Sequence, residues 1–388
     1  MTNHLLYSYS LCVALPLMLF FSLYFFFAKV PAKSIFGNYL KSRRTMGCAV
    51  LLLAANYSVH FFFEVRFFNV NLAILMNLST YFLCYWLFSS ALTALLDRFY
   101  ISRRRLRTHL SMWLLFSACS CVVLLGMPDS LSQKIGLFVL AAWLVAYGLF
   151  LSFRLLRTYR KAVRLFDDTH SDDYGAYIRW LSIFTYWAVG FGVACALLTF
   201  LPDRWVYVWI LSSVPFYIYL YCCYQNYLLF YEQVEEVIED GMDAEQMPTE
   251  NEPHSPSAAS QEESYYDEIA AGIEKWTEAE GYLRPRITIK DLADVLHTNR
   301  TYLSRYINTV YGMTYREWIT GLRMEYAKQR MLRFPEQKMA EVSEACGFLS
   351  LSHFMKAFKE REDCSPSRWK KMKLQSDAEQ SMISSQQA

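Results

Sequence analysis

The chain has 388 residues, long enough for two or more domains, and a formal net charge of only +2. Hydrophobic residues make up 54% of it, with 28 Phe and 28 Tyr, more than an ordinary soluble domain carries. That excess argues against a wholly soluble protein, and it is confined to the first 230 residues.

Seven stretches in that part run 18 to 26 residues without Asp, Glu, Lys or Arg: 5–27, 46–63, 72–96, 110–127, 135–153, 180–201 and 205–230. Each is long enough to cross a hydrocarbon core of about 30 Å. Each must then be helical, because lipid offers exposed backbone amides no partner. The first stretch has no Lys or Arg before it, no clear small-residue cleavage site after it, and too long an apolar core for a cleaved signal, so it reads as a retained helix. Basic residues alternate between the connections. Lys29, Lys33, Lys41, Arg43 and Arg44 follow the first stretch; Arg98, Arg103, Arg104, Arg105 and Arg107 follow the third; Arg154, Arg157, Arg160, Lys161 and Arg164 follow the fifth. The other connections hold only Arg66, Lys134 and Arg204. The bias predicts an N-terminus outside and a C-terminal third in the cytoplasm, with the basic residues expected to set topology and nothing more.

Polar residues within such spans mark candidate sites. Asn56 and His60 lie four apart and share a helix face, with Glu64 and Arg66 just beyond; Asn77 lies in the next stretch with Ser79 and Thr80, and Asn71 at its edge. Asn56, His60 and Asn77 are the ligand-sensing candidates, and interhelical hydrogen bonding is the competing reading. No catalytic motif is present, which argues against an enzyme, and no cofactor is expected. Eight of ten cysteines lie inside the stretches; no C-x-x-C pair has a matching second half, so no metal site is expected. Asp167, Asp168, Asp172 and Asp173 read as a solvated cytoplasmic loop face rather than a cation site.

From Glu232 to Glu268 there are thirteen acidic residues and no Lys or Arg, with Pro248, Pro253 and Pro256 interrupting. Residues 231–263 are expected to be an acidic linker, flexible and self-repelling from about Gly241 onward. Tyr227, Tyr231, Val234 and Ile238 follow a 4-3-4 spacing. That seam suits either a short dimer contact or a helix end fraying into the tether, and fraying is the favoured expectation.

Between Arg284 and Lys373 there are eighteen Lys or Arg against ten Asp or Glu, a surplus of eight. The helical pattern is more informative. Ile289, Leu292, Ala293, Val295 and Leu296 make a short amphipathic helix, and His297-Thr298-Asn299 a turn and cap. A second helix follows from Arg300 with Leu303, Tyr306, Ile307 and Val310 inward, stopped at Gly312. That is a helix-turn-helix arrangement. A longer helix spans about 314–332, and Phe334-Pro335 ends it. The pattern then repeats: Val342 and Ala345, a turn at Gly347-Phe348, a cap at Ser350, and a helix with Phe354 and Phe358 inward. Ser365-Pro366 opens a closing helix through Trp369.

Over 289–371 these residues resemble the AraC/XylS family of transcription regulators. The likeness rests on Ala345-Cys346-Gly347-Phe348, Ser352, Phe354, Phe358, Lys359, Ser365-Pro366 and Trp369, and upstream on Leu292-Ala293, Leu303-Ser304-Arg305, Gly312, Trp318-Ile319, Arg323 and Ala327. Asp363 stands where the family usually has Gly, Ser343 where Ala is common, and Lys370 where Arg is frequent. The resemblance implies that each second helix enters a major groove, one turn apart on one face of the duplex. It makes Arg300, Thr301, Ser304, Arg305 and Asn308 the outward residues of the first reader, and Ser352, His353 and Lys356 those of the second. Arg305 is the candidate for a bidentate guanine contact, while Arg300 and Lys359 would hold phosphates.

The expectation is an all-α chain: a seven-helix transmembrane bundle followed by a cytoplasmic domain with two helix-turn-helix motifs joined by a long helix. Its parts are a sensor or anchor at 1–230, a linker at 231–263, a DNA-binding domain at 264–374 and a disordered tail at 375–388. The expected function is a membrane-anchored, one-component transcription regulator in the inner membrane. Its expected partners are double-stranded DNA and the lipid bilayer, with RNA polymerase and a second copy as further candidates. The alternative is a transporter or membrane enzyme with a cytoplasmic helical regulatory module.

Overall fold

The computed structural model describes the chain except residues 1, 129, 172–174, 199–204, 247–255 and 387–388; at 2–4, 175–177, 191–193, 195–198, 233, 236–246, 256–265 and 377–386 it describes the backbone alone. Asp172, Asp173, Arg204, Pro248 and Pro253, which carried sequence-based expectations, lie outside the described residues. Regular structure among the described residues is all helical, with one isolated antiparallel bridge between His170 and Thr288. The chain divides into two compact units, Met1–Ala162 with Tyr177–Glu236, and Val163–Ala176 with Val237–Ala388.

The first unit is built from α1 (Thr2–Phe27), α2 (Gly37–Phe62), the single turn α3 (Val65–Phe68), α4 (Val70–Ala94), α5 (Arg103–Cys121), most of α6 (Leu131–Thr169), α7 (Gly175–Leu198) and the greater part of α8 (Val206–Gln246). Among the described residues, six helices are long and apolar enough to cross a membrane; they lie in α1, α2, α4, α5, α6 and α8. The predicted stretch 180–201 coincides with α7 as far as residue 198, and its last three residues are outside the described ones.

Side chains dropped onto neighbouring backbone hold these helices together, as expected where apolar surface alone gives little preference among partners. Ser22 donates to the Gly47 carbonyl at 3.2 Å, Asn38 to Ala94 at 2.5 Å and Ser42 to Ala91 at 2.6 Å, tying α2 to α1 and α4. Tyr39 donates to the Tyr224 carbonyl at 3.0 Å and links α2 to α8. On α4, Phe82 stacks between Phe116 of α5 and Tyr147 of α6, at 4.5 and 4.1 Å between ring centroids.

Three sequence expectations change here. Arg43 is not a loop residue: α2 begins at Gly37, and Arg43 is buried and donates to the Ala28 carbonyl at 2.6 Å, just beyond the C-terminus of α1. A guanidinium there meets the negative end of the helix dipole. Arg105 and Arg154 likewise do more than set topology, both lying 4.7 Å over the ring of Tyr100. The third change concerns α8, which does not fray near Phe230 but continues to Gln246. Tyr227, Tyr231 and Val234 are buried in the first unit, with Tyr231 5.2 Å from the Tyr39 ring and 5.5 Å from Phe36. This part of the seam is consumed within the chain rather than offered to a second copy.

The second unit contains α9 (Pro256–Glu278), α10 (Ile289–Val295), α11 (Arg300–Tyr306), α12 (Tyr315–Arg333), α13 (Met339–Ala345), α14 (Leu351–Glu362) and α15 (Pro366–Gln386). Helix therefore occupies 256–263, expected as tether, and 375–386, expected as disordered tail. Pro at the first helical position and Ala, Gln and Glu after it favour α9 despite the acidic charge. The tail's Asp-Ala-Glu-Gln run lacks Gly and Pro, so α15 meets no helix breaker.

Helix α12 joins two cores. Its first half gives Trp318 and Ile319 to a cluster with Ile269, Ile273 and Trp276 of α9, Leu292 of α10, and Leu303 and Tyr306 of α11. Its second half gives Met324, Ala327 and Met331 to a cluster with Val342, Cys346, Phe354 and Phe358.

Candidate nucleic-acid interface

Each helix-turn-helix is set by local capping. Thr288 and Asp291 form a reciprocal capping box at the start of α10. Asn299 then accepts from the Thr301 amide at 2.8 Å, opening α11. A π turn, Ile307–Tyr311, prolongs α11 before Gly312 ends it at φ +67°. The wider turn shifts the helical phase, so Val310, expected inward, is 51% exposed. Val295, also expected inward, lies beyond the buried arc of α10 and is exposed.

The second motif repeats the scheme. Ser350 accepts from the His353 amide at 3.2 Å, and Asp363 closes α14 in the left-handed conformation at φ +54°. The Asp at the position where the resemblance expected Gly is thus accommodated. Gly347 sits in the turn at φ +78°, and a Cβ built there would lie 2.2 Å from the Leu283 carbonyl oxygen. Two independent constraints, φ and close backbone approach, require glycine. Arg323 is fully buried beside it, donating to the Tyr282 and Arg284 carbonyls at 2.8 Å each. Sequence matching beginning at 289 missed this segment and α9, because their contributions are single buried residues without a motif.

The outward faces of α11 and α14 follow from the residues that each helix buries. On α11, Leu303, Tyr306 and Ile307 of the following turn are inward; Thr301, Arg305 and Asn308 are exposed, and Arg300 and Ser304 partly so. On α14, Phe354 and Phe358 are inward, while Ser352, Lys356 and Lys359 are exposed. His353 is half-buried, its ring edge-on to Phe348 at 5.7 Å. Lys356 lies 3.8 Å from Glu360 on the same helix. Lys370, expected to supply phosphate-binding charge, donates to the Pro335 carbonyl at 2.7 Å and so braces the closing helix.

The short segment 163–171, comprising the end of α6 with His170 and Ser171, belongs to this second unit. Asp167 pairs with Arg316 at 2.7 Å, and the Ser171 amide donates to the Ile287 carbonyl at 3.2 Å. Asp167 is therefore not a freely solvated loop carboxylate. Burial, reinforced by the positive charge of Arg300 and opposed by Asp291, pushes the His170 ring from 6.5 down to about 4.

In the first unit, the three ligand-sensing candidates come together. Asn77 Oδ1 accepts from Asn56 Nδ2 at 2.8 Å and lies 3.1 Å from His60 Nε2. Both Asn56 and His60 are buried. No cluster of His, Cys, Asp and Glu among the described residues has the arrangement of a metal site.

Two capped helix pairs on one connecting helix, each with an inward aromatic or aliphatic face and an outward polar one, define a helix-turn-helix domain. More narrowly, the chain carries an AraC/XylS-type helix-turn-helix domain: the family model described as "Helix-turn-helix domain" matches residues 292–372. The region is similar to the uncharacterized HTH-type transcriptional regulator YisR of Bacillus subtilis, 34% identical over 91 residues, 24% of this chain and 31% of that protein. It is also similar to the HTH-type transcriptional regulator CdhR of Pseudomonas aeruginosa, 33% identical over 91 residues, 24% and 27% of the two chains. The Msm operon regulatory protein of Streptococcus mutans is 32% identical over 85 residues, 22% and 30% of the two chains. The chain spans about a third of the length of these relatives. No solved structure gives a significant match.

Proposed function

We propose that this protein is a membrane-anchored transcription regulator that reads double-stranded DNA with α11 and α14 and senses a signal through its apolar N-terminal unit. The observation that carries the reading is the pair of exposed polar faces, Thr301, Arg305 and Asn308 on one helix and Ser352, Lys356 and Lys359 on the other, each backed by its own core. Helix α12 has 19 residues, about 28 Å at 1.5 Å per residue, a spacer close to the ~34 Å turn of the duplex. Arg305 takes the base-reading role and Lys359 and Arg300 the phosphate-holding one. The printed names of the matched relatives support regulation. Membrane anchoring is supported by six apolar helices of spanning length; with α7, which follows the charge-free stretch 180–201 as far as residue 198, counted as a further span, the alternation of basic connections favours an outside N-terminus and a cytoplasmic reader domain. RNA polymerase and a second copy are the partner classes this role would recruit.

The test uses the full-length protein in lipid nanodiscs with DNA from its own promoter region, titrated with salt. Binding should weaken steeply, with a log–log slope of about −0.9 per phosphate neutralised. Arg305→Ala should cost about 1–3 kcal/mol and relax preference at one base pair, whereas Lys359→Ala should weaken all sequences alike. Salt-insensitive binding, or none, removes the DNA-reading assignment.

A further inference from the structure

Helix α6 runs from Leu131 to Thr169 without interruption, 39 residues or about 58 Å. A hydrocarbon core of about 30 Å takes up roughly half of that length. From Leu149 to Thr169 the sequence holds no Gly or Pro, the usual causes of a sharp bend. The helix begins in the first unit, yet residues 163–169, with His170 and Ser171 after them, belong to the second.

This tip grips the first helix-turn-helix at three places. Asp167 holds Arg316, the second residue of α12, at 2.7 Å. His170 pairs with Thr288, the capping residue of α10, as an antiparallel bridge. The Ser171 amide donates to the Ile287 carbonyl at 3.2 Å. Phe166, Thr169 and Ser171 are buried along the tip. Arg300, the first residue of α11, is close enough for its charge to act on the His170 ring.

Those attachments occupy ground that a duplex would need. When a helix-turn-helix docks, its first helix crosses the DNA backbone. Here the chain entering that helix, Ile287-Thr288, is covered by Ser171 and His170. Asp167 neutralises Arg316, and Asp168 adds a second carboxylate beside it in the chain. DNA phosphates approaching Arg300 therefore meet like charge as well as bulk. The hold is also weak enough to undo: a partly exposed ion pair and one interstrand hydrogen bond open readily.

We propose that the tip of α6, Asp167–Ser171, is an autoinhibitory clasp on the first reader: docked, it keeps the duplex from α10 and α11, and released, it frees them. This rests on the DNA-reading and sensing roles proposed above, and it supplies the step that joins them. The tip ends a helix that begins in the apolar unit, so a shift of α6 is the movement that undoes the clasp.

The bridge itself offers a lock. Its hydrogen bond runs from the residue after His170 to the residue before Thr288, the pattern of a non-hydrogen-bonded pair. Cα atoms in such a pair lie about 4.5 Å apart, within the span of a disulfide. Full-length protein carrying His170→Cys and Thr288→Cys, in nanodiscs, is titrated with its promoter DNA before oxidation, after it, and after reduction. Single-cysteine variants control for the other thiols. The disulfide should form and weaken DNA binding at least ten-fold, and reduction should restore it, which rules out misfolding. Asp167→Ala alone should act oppositely and tighten DNA binding about two- to five-fold, the factor by which losing the pair weakens docking. The clasp is overturned, with DNA reading intact, if no disulfide forms, if the locked protein binds as well as the reduced one, or if Asp167→Ala fails to tighten binding. DNA binding absent from the unsubstituted, reduced and Asp167→Ala proteins alike removes the reading itself, and the clasp with it.

Discussion

At the scale of single residues, the second unit depends on positions where backbone geometry admits one choice. Gly347→Ala puts a methyl 2.2 Å from the Leu283 carbonyl oxygen at a φ of +78°. A loss of about 2–3 kcal/mol is expected, read as earlier thermal unfolding of the reader unit, with α11 less affected than α14 in hydrogen exchange. Gly312→Ala meets nothing within 4 Å and should cost only the conformational part, about 1 kcal/mol. Cys346 makes a second prediction. Burial pushes its thiol from 9.0 up to about 12, with Arg330 and Arg323 partly offsetting. At pH 8 a maleimide should modify the partly exposed Cys364 and spare Cys346 until the protein is denatured, as mass spectrometry would show. The raised value also means that the stability contributed by the protonated thiol is complete below about pH 9 and declines as pH rises toward 12.

At the scale of elements, helix boundaries were legible where caps and breakers mark them. Asn299, Ser350, Gly312 and Phe334 begin or end the helices they were expected to, and the long helix α12 starts just after residue 314, close to its expected start. Of two local failures, Val310 traces to a π turn, which a pattern based on 3.6 residues per turn does not anticipate, and Val295 lies past the buried arc of the short helix α10. Long-range partners were not legible at all. Asp167 and Arg316 are 149 residues apart, and nothing in the spacing of either announces the pair. Asp167→Ala should loosen segment 163–171 by about 0.5–1 kcal/mol, since the pair is about three-quarters buried. The Ser171 amide, bonded to Ile287, should then exchange about three-fold faster. Lowering pH should act in the same direction: the unfolded His170 ring takes a proton near 6.5 and the folded one near 4, so the segment loses stability as pH falls through that window.

At the scale of the molecule, composition divides the chain near Phe230, and contacts divide it differently. The first unit extends through Glu236, and the second recruits Val163–Ala176 from between two apolar helices. The proposed topology has a direct test. A fluorescent protein that matures only in the cytoplasm should be bright when fused after residue 388, and alkaline phosphatase should be active when fused ahead of residue 1. The reverse result would sink the proposed orientation. That outcome would also count against DNA reading in the cell, since a domain outside the cytoplasm cannot reach the chromosome.

The sequence by itself determined the helical class, the spanning lengths, the capped reader helices and the residues on their outward faces. Those features arise from interactions within a few residues of one another, where periodicity, capping and φ preferences act. The tertiary structure alone decided that Arg43 closes a helix end, that Tyr231 packs inward, that Asp167 is paired and that Asn56, His60 and Asn77 meet. Each of those depends on which distant helix happens to lie within a few ångströms, and no local rule encodes that distance. The cavity whose walls include Phe88, Phe184 and Phe216 is of the same kind, a space bounded by five helices that no one of them describes.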